Sequence, residues 1–61
     1  MRMYQLFKTK EERENWLKEM ESQAGFKVCF REPVKQLAKD AYLSEYQKNN
    51  FKYAVVYRFA D

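Results

Sequence analysis

The segment FKYAVVYRFA, residues 51–60, alternates two kinds of side chain and therefore predicts a β-strand with two unlike faces. One register is made of aromatic and branched residues: Phe51, Tyr53, Val55, Tyr57 and Phe59. The other register is made of cations and small residues: Lys52, Ala54, Val56, Arg58 and Ala60. We expect the first register to face the core, because aromatic side chains carry the largest buried area per residue. The second register is then left to face solvent or a partner.

Two further segments are predicted to be strands of the same sheet. Residues 26–32, FKVCFRE, alternate in the same way, and Pro33 ends this strand because proline has no N–H to donate. The predicted core register of this strand is Phe26, Val28 and Phe30, and its other register is Lys27, Cys29 and Arg31. Residues 1–8 form the first predicted strand. Its phase stays open, because Tyr4 and Leu6 compete with Met3 and Phe7 for the inward face.

A first helix is predicted over residues 9–25. Thr9 and Glu12 have the spacing of a capping box, in which each side chain accepts a hydrogen bond from a free backbone N–H. Gly25 suits the left-handed conformation that commonly ends a helix. The apolar stripe of this helix is Trp16, Leu17, Met20 and Ala24. Trp16 is therefore expected to be a core residue rather than a stacking platform.

A second helix is predicted after Pro33 and extends to about residue 47. Its apolar stripe is Val34, Leu37, Ala38 and Ala41. Leu43 projects away from this stripe. Two alternatives follow: the helix ends or bends near Tyr42, or Leu43 is exposed and meets a partner.

The order strand, helix, strand, helix, strand predicts an α+β fold: one small domain, residues 1–61, with a three-stranded sheet and both helices on one face. The pairing direction stays open. Two right-handed crossovers would make the strands parallel, whereas direct pairing of residues 26–32 with residues 51–60 would be antiparallel. In both arrangements the second face of the sheet is expected to be uncovered.

The residue types argue against catalysis. The chain has no histidine, one cysteine and one glycine, so it lacks the commonest general base, a set of zinc ligands and a glycine-rich phosphate loop. Cys29 has no base to activate it, and we interpret it as a packed thiol. We therefore expect a non-enzymatic protein with no cofactor, no metal and no small-molecule substrate.

The lone cysteine also indicates a cytoplasmic protein, because it cannot form an internal disulfide. No apolar run reaches the length of a signal peptide or a membrane span, so no membrane association is expected. The net charge of +3 is unevenly distributed. Residues 9–25 hold three basic and five acidic side chains, a net charge of −2, which leaves +5 for the rest of the chain.

The second register of the strands is the candidate binding surface, and its predicted residues are Arg2, Tyr4, Lys27, Arg31, Lys52, Val56 and Arg58. Cations across a sheet can neutralise phosphates, and an aromatic ring among them can stack an unpaired base. This pattern favours a nucleic-acid-associated or regulatory binding module. The alternative is a protein-interaction module or homodimer, in which Ala54, Val56 and Cys29 form a small apolar patch. A plain solvent face is the third interpretation, because open sheet faces are normally polar.

Overall fold

The last strand of the chain lies at the centre of the sheet. In the computed structural model, which describes residues 2–60, three strands form one sheet in the order β1-β3-β2. The elements in chain order are β1 (Met3–Phe7), α1 (Lys10–Met20), β2 (Phe26–Pro33), α2 (Val34–Asp40), α3 (Glu45–Asn50) and β3 (Tyr53–Phe59). The predicted α+β class and element order are confirmed, with the second helical region divided into two short helices. Met1 and Asp61, the ends of the predicted domain, lie outside the described residues.

Both strand pairs are antiparallel, which decides the direction that the sequence left open. β3 pairs with β1 on one side, where Phe7 lies opposite Tyr53, and with β2 on the other, where Phe26 lies opposite Phe59. The connection through α1 therefore joins the two outer strands of the sheet, and β3 lies between them.

α1 covers one face of the sheet. Its Leu17 packs with Phe7 of β1 and Val55 of β3 in a buried cluster, which we call the α1-side core. Trp16 extends this core by packing its ring at centroid distances of 5.2–5.7 Å against three others: Phe7, Phe26 and Tyr57. Trp16 is thus a core residue, as the stripe predicted.

α2 covers the opposite face. Its Val34 and Leu37 pack with Ala54 and Val56 of β3 in a second cluster, which we call the α2-side core, and Leu43 completes it. The molecule therefore has three layers, with the sheet in the middle.

The prediction that both helices share one face, with the other face open, is wrong. Ala54, Val55 and Val56 have 0, 0 and 6 % of their surface exposed. Because neighbouring residues of a strand point to opposite faces, the burial of all three requires cover on both sides. The cations at the ends of this register, Lys52 and Arg58, favoured the prediction that it faces solvent. Ala54 and Val56 between them are apolar and small enough to pack beneath a helix.

α1 begins where the sequence predicts, but it ends at Met20, with Glu21 as its C-cap, and not at Gly25. Thr9 is its N-cap residue, and the Thr9 hydroxyl accepts a hydrogen bond from the Glu12 N–H at 3.1 Å. Gly25 has a φ of 81°, in the left-handed region. The Ala60 N–H donates to the Gly25 carbonyl at 2.7 Å, and a Cβ at position 25 would overlap the Ala60 carbonyl oxygen. Glycine is therefore required both for its conformation and for this close approach.

The second helical region stops at Asp40, which is the first of the two alternatives for Leu43. Residues 41–44 are not helical, and Leu43 turns into the α2-side core with 4 % of its surface exposed. α3 then starts with a complete capping box. The Gln47 N–H donates to the Ser44 hydroxyl at 3.1 Å, and the Ser44 N–H donates to the Gln47 side-chain oxygen at 2.9 Å.

Candidate functional site

A β-bulge in β2 rearranges the candidate surface. Val28 lies opposite Tyr57 and Phe30 lies opposite Val56, so Cys29 is an extra residue between two consecutive partners on β3. An extra residue places every later side chain of the strand on the face opposite to the one that regular alternation would give it. Phe30 therefore shares a face with Val56, although the alternation predicted it in the core with Val28.

The bulge brings two exposed aromatic side chains into one row across the sheet. Tyr4 of β1, Val56 of β3 and Phe30 of β2 are register partners and point to the same face. Val56 is the buried floor, whereas Tyr4 and Phe30 are 38 % and 40 % exposed. The guanidinium carbon of Arg2 lies 5.8 Å from the centroid of the Phe30 ring, so the Arg2 side chain reaches across β3 toward β2.

A row of cations lies beside this aromatic row. Lys27 is directly opposite Arg58, and Arg58 follows Val56 by two residues and so lies on the same face. Arg2 approaches from the β1 side, and all three cations are exposed. Like charges directly opposite each other destabilise a sheet. The salt bridges of residues 2–60 involve other side chains, so no carboxylate offsets this repulsion within 4 Å.

We call these two rows together the open surface: Arg2, Tyr4, Lys27, Phe30, Val56 and Arg58. The next row on the same face consists of Leu6, Ala54 and Glu32, and there α2 and its following segment pack on the sheet. The open surface is thus the end of this face where every side chain except Val56, its buried floor, stays exposed.

A groove of about 310 Å³ lies between the open surface and the end of α2. Its lining carries both signs of charge: Arg2 approaches from one side of the aromatic row, Glu32 lies in the row on the other side, and Asp40 of α2 adds a second carboxylate. The other lining residues are apolar or aromatic: Met3, Tyr4, Phe30, Leu37, Ala41 and Val56.

Two of the predicted site residues lie elsewhere. Arg31 is opposite Val55, on the α1 side of the sheet, because the bulge reverses the face of every residue after Cys29. Lys52 precedes β3 and lines a separate cleft of about 510 Å³ with Lys35 and Lys48. The sheet does bring the other predicted residues together: Arg2, Tyr4, Lys27, Val56 and Arg58.

The small apolar patch predicted as a dimer contact lies inside the protein. Ala54 is fully buried, Val56 is 6 % exposed, and Cys29 is half-buried against the same cluster. Val34 and Leu37 occupy the position that a second copy would need. These three residues are therefore not exposed as a dimer contact, and homodimer formation itself stays a prediction.

Sequence reasoning missed two aromatic residues of this region. Phe30 was missed because a bulge depends on how two strands pair, and nothing within residues 26–32 shows it. Tyr42 is 90 % exposed and follows Ala41, which lines the groove. The exposure of Tyr42 could have been predicted from the sequence, because Tyr42 lies two residues before Ser44, the N-cap of α3, and outside both helices.

No protein-family model matches this chain, and no curated protein or solved structure is significantly similar to it. In the part of the chain that the structure describes, no three histidine, cysteine or acidic side chains are grouped to hold a metal ion. Within residues 2–60 there is also no helix with the length and apolar character to cross a membrane. The functional argument therefore depends on the open surface.

Proposed function

We propose that this protein is a non-enzymatic cytoplasmic module that binds single-stranded nucleic acid through the open surface. The observation that carries the proposal is that a row with two exposed rings lies directly beside a row of three cations. Exposed rings stack on unpaired bases, and cations neutralise phosphates. A single-strand site that tolerates many sequences needs these two features on the same surface.

The spacing of the side chains suits an extended strand of nucleotides. Tyr4 and Phe30 stand on the two outer strands with β3 between them, which separates the rings by roughly 10 Å. This separation favours two stacked bases over one base held between two rings. The row of cations lies about 7 Å away along the strands, within reach of the phosphates of those bases.

The cations themselves favour an anionic partner. Lys27 and Arg58 are held opposite each other by the register of β2 and β3, and Arg2 adds a third positive charge at the same end. A bound phosphate chain would replace this repulsion with attraction, and it would release the counterions condensed on the nucleic acid.

The sharpest test compares two cations of one strand that lie on opposite faces. Lys27 and Arg31 are both exposed on β2, but only Lys27 belongs to the open surface. We expect Lys27→Gln to weaken the binding of a fluorescently labelled single-stranded oligonucleotide, measured by anisotropy, and to lower the salt slope of log K by about 0.7. Arg31→Gln, which removes the same charge, should leave that slope unchanged.

Lys52→Gln is a second control, because Lys52 lies in the separate cleft. Circular dichroism would check that every variant keeps its secondary structure. Equal losses for Lys27→Gln and Arg31→Gln would mean that binding depends on net charge and not on this surface. If the backbone amide signals of the wild-type protein do not move on adding oligonucleotide at low salt, the proposed function is wrong.

A further inference from the structure

The side of the groove next to α2 carries carboxylates that the fold does not use. Oε1 of Glu32 is shielded from solvent and accepts no hydrogen bond from the described residues 2–60. Asp40 is the last residue of α2, where the negative end of the helix dipole disfavours a carboxylate. Neither side chain takes part in the salt bridges of the described chain.

A hydrogen-bond donor from a ligand would satisfy Glu32. A carboxylate oxygen withdrawn from water without a donor lowers stability, so its placement calls for a partner. The Glu32 side chain lines the groove, and the terminal torsion of a glutamate is soft enough to turn either oxygen toward an incoming group. An ionised carboxylate only accepts hydrogen bonds, and it offers two oxygens side by side.

The position of Glu32 relative to Phe30 determines which part of a ligand the Glu32 carboxylate can contact. Glu32 is opposite Ala54 and Phe30 is opposite Val56, so both point to the same face with no bulge between them. Lys27 and Arg58 lie on the far side of the Phe30 row. A nucleotide stacked on Phe30 with its phosphate over these cations therefore directs the outer edge of its base toward Glu32.

We propose that Glu32 reads the Watson–Crick edge of a base on the open surface and selects guanine. This inference rests on the proposed binding of single-stranded nucleic acid. Guanine presents two adjacent donors on that edge, the N1–H and the 2-amino group, and a carboxylate can accept from both. Uracil presents one N–H between two carbonyl oxygens, which a carboxylate repels. Adenine and cytosine each present an amino group next to a ring nitrogen that only accepts.

Asp40 has a different role in this arrangement. It is exposed, and it lines the same groove as Glu32. Its negative charge repels phosphates from the groove, which favours the orientation in which the phosphates lie over the cations. Asp40 thus orients the ligand, whereas Glu32 contacts the base.

The test uses three oligonucleotides of equal length: an oligouridine, the same strand with one central guanosine, and the same strand with inosine at that position. We expect the wild-type protein to bind the guanosine strand about 10-fold more tightly than the oligouridine, the size of effect that one bidentate contact gives. Inosine should fall between them, because it keeps the N1–H and lacks the 2-amino group.

The variants then assign the preference to one side chain. Glu32→Gln should abolish the difference between guanosine and inosine while keeping or improving the binding of oligouridine, because a negative charge is lost. Asp40→Asn is the matched control, since it removes the same charge at the same groove and should keep the preference for guanosine.

Each result has a separate meaning. Equal binding of all three strands by the wild-type protein would overturn the reading of guanine and leave the proposed function intact. A guanosine preference that survives Glu32→Gln would also overturn it. If no strand binds at low salt, the proposed function fails, and this inference fails with it.

Discussion

At the scale of single residues, Cys29 decides what the end of β2 presents on each face. Before it, Lys27 belongs to the open surface; after it, Phe30 takes that face and Arg31 is turned to the α1 side. The extra residue also converts a predicted core phenylalanine into a side chain that is 40 % exposed. A ring that is exposed because of the strand register is available for stacking.

The protein offers a matched pair of rings to test this point. Phe30 and Phe59 are 40 % and 43 % exposed, but Phe59 is opposite Phe26, on the α1 side. We expect Phe30→Leu to weaken oligonucleotide binding by about 1–3 kcal/mol, the usual value of one stacked base, because leucine keeps apolar bulk without a flat ring. Phe59→Leu should change the anisotropy titration little. A larger loss for Phe59→Leu would place the site on the other face.

At the scale of elements, the non-helical segment between α2 and α3 helps to cover the sheet. The chain leaves the helix after Asp40, buries Leu43 in the α2-side core and restarts at Ser44. A continuous helix would carry Leu43 away from the sheet, since it lies off the apolar stripe. The reciprocal capping box of Ser44 and Gln47 stabilises the restart locally.

This cap gives a prediction about stability. Ser44→Ala removes a half-buried cap and should lower the free energy of unfolding by about 1 kcal/mol, measured by urea denaturation. Ser22→Ala is the control, because the Ser22 hydroxyl makes only an exposed hydrogen bond to the Glu19 carbonyl, and it should change stability by less than about 0.5 kcal/mol. Equal effects from the two substitutions would mean that the α3 cap contributes nothing of its own.

At the scale of the whole molecule, two small cores share one strand. Val55 belongs to the α1-side core, and its neighbours Ala54 and Val56 belong to the α2-side core. Neither helical layer can therefore lose its packing without disturbing β3. A chain of 61 residues has roughly 3–9 kcal/mol of stability to lose.

We expect the two layers to unfold together. Leu37→Ala removes a side chain that is 4 % exposed on the α2 side, and it should cost about 2–5 kcal/mol. The fluorescence of Trp16, which lies in the other core, should then lose its folded signal at the same temperature as the circular dichroism. Gln36→Ala, an exposed neighbour on α2, is the control. An unchanged Trp16 transition in Leu37→Ala would show that the layers fold separately.

The sequence predicted the site in part, and the limits are visible in particular residues. Arg2, Tyr4, Lys27 and Arg58 were correctly grouped, because alternation within a regular strand assigns faces reliably. Arg31 was misplaced by the bulge, and Lys52 because it lies beyond the end of β3 and beside α2. The two carboxylates of the groove were not predicted, because Glu32 and Asp40 belong to different elements that line one groove only when α2 packs on the sheet.

By itself, the sequence determined the strands, from their alternation, and the start of α1, from Thr9. These features follow from neighbours along the chain, which carry the physical cause within a few residues. Only the tertiary structure decided the antiparallel pairing, the helix on each face and the bulge at Cys29. Each of these depends on contacts between distant segments. The sequence left Ala54 and Val56 free to face either water or a helix. They face a helix because Leu37 and Leu43 bury their apolar side chains against them.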